Sequence, residues 1–138
     1  MRRIALLFIV LCLSLPALAE RKQSFGDLDV HYSAFNSSFL QPEIAAAAGL
    51  SRSKTQGVLN IAVLKAGQPA AAMVSGEMRN LLGQVRSLSF KQVSEGEAIY
   101  YLAQFPIEQQ EMLRFSLKIQ AGGGNTHSLD FNQELFPD

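Results

Sequence analysis

The sequence predicts an all-β domain: about seven antiparallel strands in an immunoglobulin/fibronectin-like β-sandwich, with one short helix near residues 42–48. Three observations carry this. Most segments beyond residue 20 alternate apolar and polar residues with period two. Gly, Pro and Asn clusters punctuate them at intervals suited to short strands. Only one segment carries helix punctuation at both ends. A small closed barrel is the alternative architecture. The chain has no tryptophan and a single cysteine, which excludes an antibody-type core but not the wider sandwich class.

A first strand is expected at about residues 25–35. Pro42 then suits the first turn of a helix, and Glu43 suits the positive end of its dipole. Ala45 to Ala48 are strong helix formers and Gly49 can close the helix in the left-handed conformation. This helix is expected to pack over one end of the sheets. Val58 to Lys65 is β-branched and apolar on both faces, as in a central strand covered on more than one side. Gly67 and Pro69 break the pattern, and Ala70 to Met78 resumes it. Arg79 to Gln84 is a connection in which Leu81 and Leu82 are expected to plug one end of the core. Arg86 to Gln92 alternates as one strand, with Leu88 and Phe90 inward. Ser94 to Glu97 makes a turn. Ala98 to Phe105 is the next strand, with Tyr101 inward and Tyr100 outward beside Leu102. Leu113, Phe115, Leu117 and Ile119 share one face of a further strand, and the glycines at 122–124 turn the chain into a last one, Thr126 to Phe136.

The first nineteen residues read as an address rather than as part of the fold. A basic start (Arg2, Arg3), an apolar run from Ile4 to Leu15, the break at Pro16 and the small residues Ala17 and Ala19 match a cleavable secretory signal. The run is too short, and too soon followed by Glu20, Arg21 and Lys22, for a spanning helix. Cys12 lies within the apolar run behind Val10 and Leu11, which does not suit lipid attachment. Domains are therefore expected at 1–19, a signal peptide, and 20–138, a single sandwich domain, located in the periplasm. Cleavage removes the only cysteine, and with it disulfides, thiol catalysis and cysteine–zinc sites. Lys plus Arg falls from 12 to 10 against 12 Asp plus Glu, a net charge of −2. No basic run exists to bind nucleic acid.

Few residues suggest chemistry. His127 and Ser128 are neighbours in an expected strand and point to opposite faces, so they do not form a nucleophile–base pair. Asp27, Asp29 and His31 alternate and could share a strand face that holds a divalent metal. A solvated face with an Asp–His contact is the plainer reading. The methionines at 73, 78 and 112 lack a repeated copper-binding spacing and suit core filling. Glu95 with Glu97, and Glu108 with Glu111, fall in expected turns. The triple glycine lacks the lysine and following helix of a phosphate loop. No catalytic residue, cofactor or metal ligand is assigned.

Four stretches carry a resemblance as a set: Ser75 to Gln84, Gly96 to Pro106, Gly124 to His127 and Phe131 to Phe136. With the signal, they resemble a family of short secreted proteins from gammaproteobacteria known only as a domain of unknown function. The resemblance covers nearly the whole mature chain. It implies a periplasmic sandwich and supplies no active-site residues. The resulting expectation is a non-enzymatic protein-binding or accessory module. Its contact surface would draw on Arg79, Asn80, Tyr100, Leu102 and His127, and its partner would be another periplasmic or membrane-associated protein. It would be a monomer or weak dimer, with no nucleic acid partner and no transmembrane segment after cleavage. The alternative is a metal-ion or small-ligand binding protein using His31 or His127 with nearby acidic residues.

Overall fold

Two antiparallel sheets face each other across one main core in the computed structural model, which describes residues 21–137. The expected signal, residues 1–19, lies outside the described residues. The strands are β1 (Arg21–Phe25), β2 (Leu28–Asn36), β3 (Gln56–Lys65), β4 (Gln68–Pro69), β5 (Ala72–Arg79), β6 (Val85–Leu88), β7 (Lys91–Glu95), β8 (Ala98–Pro106), β9 (Glu111–Ala121) and β10 (His127–Leu135). The large sheet runs β1-β2-β3-β8-β7, with β4 paired to the end of β3. The small sheet runs β10-β9-β5-β6. No helix among the described residues is long and apolar enough to cross a membrane.

The strand count rises from the expected seven to ten: the two-residue β4 pairs with the end of β3, and two further strands arise for physical reasons. The first expected strand is a hairpin: Gly26 takes a positive φ of 65° at the first central position of a two-residue turn, which suits a primed hairpin turn. The stretch read as one strand, Arg86 to Gln92, divides at Ser89–Phe90 into β6 of the small sheet and β7 of the large one. Phe90 packs against the core at this corner, so the apolar alternation runs through the crossing unbroken.

The core is built from the inward faces of both sheets. Phe105, Phe115 and Phe131 form a chain of ring contacts at 5.3 and 5.0 Å, and Tyr32 meets Phe131 at 4.4 Å. The Arg21 guanidinium closes this row at the β1/β10 edge, 5.1 Å from the Tyr32 centroid and 4.9 Å from that of Phe131. Its Nη2 donates to the Asn132 carbonyl at 3.0 Å, which ties the two sheets. Tyr101 faces inward as expected, and its hydroxyl accepts a hydrogen bond from the Ala72 amide at 2.7 Å, a second tie between sheets.

Helix α1 (Pro42–Ala48) forms where its punctuation predicted and ends at Gly49 with φ 68°. It does not cap an end of the sandwich. It lies on the outer face of the large sheet, where Leu40, Ala45 and Ala48 bury against Val58, Val93 and Leu102. This second small core explains why β3 is apolar on both faces. A turn of 3-10 helix (Ser37–Phe39) leads into it, capped by Asn36, whose Oδ1 accepts from the Ser38 amide at 2.9 Å.

Candidate functional site

The strand registers place the loops at two ends. The ends of β2, β5, β8 and β10 and the starts of β3, β6 and β9 share one end, where the Asn36 Nδ2 donates to the carbonyls of Lys54 and Phe136. The β1–β2, β3–β4, β7–β8 and β9–β10 turns lie at the opposite end.

The five expected contact residues do not converge. Arg79 ends β5 and is exposed, and Asn80 opens the β5–β6 loop. Tyr100 is half-buried on the outer face of the large sheet. Leu102 points to the same face but is only 1 % exposed, because α1 covers it; a contact role for its side chain is thereby removed. His127 begins β10 at the opposite end, its ring stacked on Phe25 at 4.5 Å and 22°.

The histidine-based alternative gains no ligand set. Asp27 sits in the β1–β2 turn rather than on the His31 strand face, because the expected single strand is a hairpin. Asp29 accepts a 2.6 Å hydrogen bond from Ser24 Oγ. His31 borders a groove on the large sheet, whereas His127 borders a separate recess with Phe25, Asp27 and Asn125. No group of three or more His, Cys, Asp or Glu side chains among the described residues is placed to hold a metal ion.

Met73 and Met112, expected as core filling, are 74 % and 37 % exposed; the misplacements with most consequence are Leu81 and Leu82. They were expected to plug the core; they are 83 % and 82 % exposed. The cause is Asn80. Its Oδ1 accepts from the amides of Leu82 at 3.0 Å and Gln84 at 2.9 Å, and its Nδ2 donates to Gln84 Oε1 at 2.7 Å. Two backbone bonds, Asn80 N to Gln84 O and Gly83 N to Asn80 O, complete the loop. Asn side chains commonly satisfy turn amides in this way. With the loop's polar groups turned inward on themselves, both leucines point out. Val85, Met112 and Phe136 are also exposed at this end. Arg79 lies directly opposite Arg114 in the β5–β9 register, so two cations stand behind the tip. Beside it a recess of about 350 Å³ is lined by Met78, Val85, Arg86, Glu108, Glu111 and Leu113.

Fold and site define a class: a two-sheet antiparallel β-sandwich that displays its two most exposed large apolar side chains on a stapled loop. The chain belongs to the family of the domain of unknown function DUF4426, whose pattern matches residues 22–138. A DUF4426 family protein from Pseudomonas aeruginosa is 52 % identical, with a TM-score of 0.85, covering 89 % of this chain and 99 % of that one. A copper-bound variant of FetP from uropathogenic Escherichia coli strain F11 shares the fold at 11 % identity and TM-score 0.63, covering 84 % of this chain and 94 % of that one. FetP as isolated after periplasmic expression matches at the same identity and TM-score, covering 84 % and 93 %. At this identity the likeness to FetP is one of fold. No curated protein matches the chain.

Proposed function

We propose that this protein is a non-enzymatic docking module of the periplasm, which holds a partner protein through the Leu81–Leu82 tip. The observation that supports this is the combination of near-complete exposure with a fixed loop conformation. A mobile loop could tuck its leucines away. This one holds them in water through five hydrogen bonds. Burying a leucine side chain gains about 1.5–3 kcal/mol, so two leucines entering an apolar pocket supply enough to drive a specific contact. Prior ordering of the loop lowers the entropy lost on binding. Arg79 and Arg114 favour a partner whose surface around that pocket is acidic.

The test is quantitative recovery of crosslinked partner by the wild-type protein and by a Leu81→Asp/Leu82→Asp variant. Both positions are exposed, so the variant keeps its fold, and thermal unfolding confirms this. At least a tenfold loss of recovery is expected. Equal recovery, or binding to lipid vesicles in place of a protein, would contradict the proposal.

A further inference from the structure

The docking tip leaves the outer face of the large sheet unused. Helix α1 and the 3-10 turn roof only part of that face, and the remainder forms a groove of about 730 Å³. That volume lies within the range of small-molecule sites. Ser33 of β2, Asn60 of β3 and Leu102 of β8 are register partners across the groove floor. Phe39, 73 % exposed, and the half-buried Tyr100 border the groove.

Asn60 is the informative residue. It lies on a central strand between Ser33 and Leu102, and its Oδ1 is shielded from solvent with no hydrogen-bond partner among the described residues. A shielded acceptor without a donor is unfavourable, and a valine there would serve the sheet better. The terminal torsion of an asparagine is broad, so the carboxamide can turn to meet a group in the groove. The charge of the lining narrows the ligand further. It contains no lysine or arginine, Glu95 is its one carboxylate and His31 its one imidazole, so an anionic compound finds no permanent counter-charge.

We infer that this groove binds a small uncharged amphipathic molecule, whose apolar body lies against Phe39 and Tyr100 and whose N–H or O–H group meets the Asn60 carboxamide. The site is independent of the docking tip, and either can fail without the other.

The test uses N-phenyl-1-naphthylamine, a neutral probe with one N–H, and the anionic probe 1-anilinonaphthalene-8-sulfonate. With no tryptophan in the chain, excitation of either probe is free of indole background. The neutral probe is expected to bind saturably and at least tenfold more tightly than the anion. Phe39→Ala, at an exposed position that folding does not need, is expected to weaken it at least threefold. Asn60→Val is expected to weaken it at least fivefold while the unfolding temperature holds or rises. Leu81→Asp/Leu82→Asp is expected to leave it unchanged. Non-saturable binding, equal affinity for the anion, or affinity unchanged in both groove variants would overturn the inference.

Discussion

Replacing Asn80 by alanine should loosen the docking tip without unfolding the sandwich. The substitution removes three of the five hydrogen bonds that shape the β5–β6 loop: two accepted by Oδ1, from Leu82 and Gln84, and one donated by Nδ2 to Gln84. The two backbone bonds remain possible. Intramolecular hydrogen bonds contribute about 0.5–1.5 kcal/mol each, and these are at the surface, where water replaces them readily. The low end applies, so the loss is about 1.5 kcal/mol in all. It falls on local opening of the loop. Since 1.4 kcal/mol is a factor of ten, the amides of Leu82 and Gln84 should exchange about tenfold faster under native conditions. The fall in unfolding temperature should be about 5 °C or less. Asn80→Asp is the control: a carboxylate still accepts from both amides and loses only the Gln84 contact, so exchange should rise about two- to threefold. Native-state hydrogen exchange followed by nuclear magnetic resonance reads both. Exchange at Leu82 that is the same in wild type and Asn80→Ala would show that the side chain does not hold the tip, and the reasoning would fail.

Four further substitutions, at three positions, probe how the sandwich is held. Gly76→Ala should destabilise by about 3 kcal/mol in a denaturant titration, because a Cβ there would meet the Leu117 side chain and lie 2.6 Å from the Ser116 carbonyl oxygen, on backbone that cannot move aside. Arg21→Ala should cost about 1–3 kcal/mol by the same titration, through loss of the stack on Tyr32 and Phe131 and of the Asn132 bond. Arg21→Lys should recover less than half of that, since an ammonium has no planar face to lay over the two adjoining rings. Ala66→Gly should raise stability by up to about 1 kcal/mol: Ala66 is the one non-glycine residue with positive φ among the described residues, at 50° in the β3–β4 turn. A lowered unfolding temperature for Ala66→Gly would show that the left-handed alanine carries no strain.

Much of the architecture was legible from local pattern. The alternation of Ala98 to Phe105 set Tyr101 inward and Tyr100 outward, and the structure places both so. The α1 boundaries followed from Pro42 and Gly49, because capping is decided within a few residues. The crossing between sheets is non-local. Period two survives a change of sheet, so nothing in Leu88-Ser89-Phe90 records the crossing from β6 to β7. The turn signal at Gly26-Asp27 is local: it makes the hairpin and sets Asp27 off the His31 face. Hydrophobicity alone points Leu81 and Leu82 inward, whereas the Asn80 side chain sets their direction through bonds that composition does not show. The signal that could have revealed them was Asn80 itself, with Gly83 three residues on: an asparagine that can satisfy turn amides argues for a compact, outward loop. The groove was hidden for a different reason. Its lining comes from β2, the 3-10 turn, α1, β3, the β7–β8 hairpin and β8, and only tertiary packing assembles them.

The central claim, that the stapled leucine tip is the contact surface, is tested most directly by site-specific photocrosslinking in living cells. A benzophenone amino acid would be placed at Leu82 and, as reference, at Ser128 on the far side of the small sheet. The account predicts one discrete crosslinked protein product from position 82 and none from position 128, with the product from 82 lost in the Asn80→Ala background. No product at 82, or the same product from both positions, would contradict it.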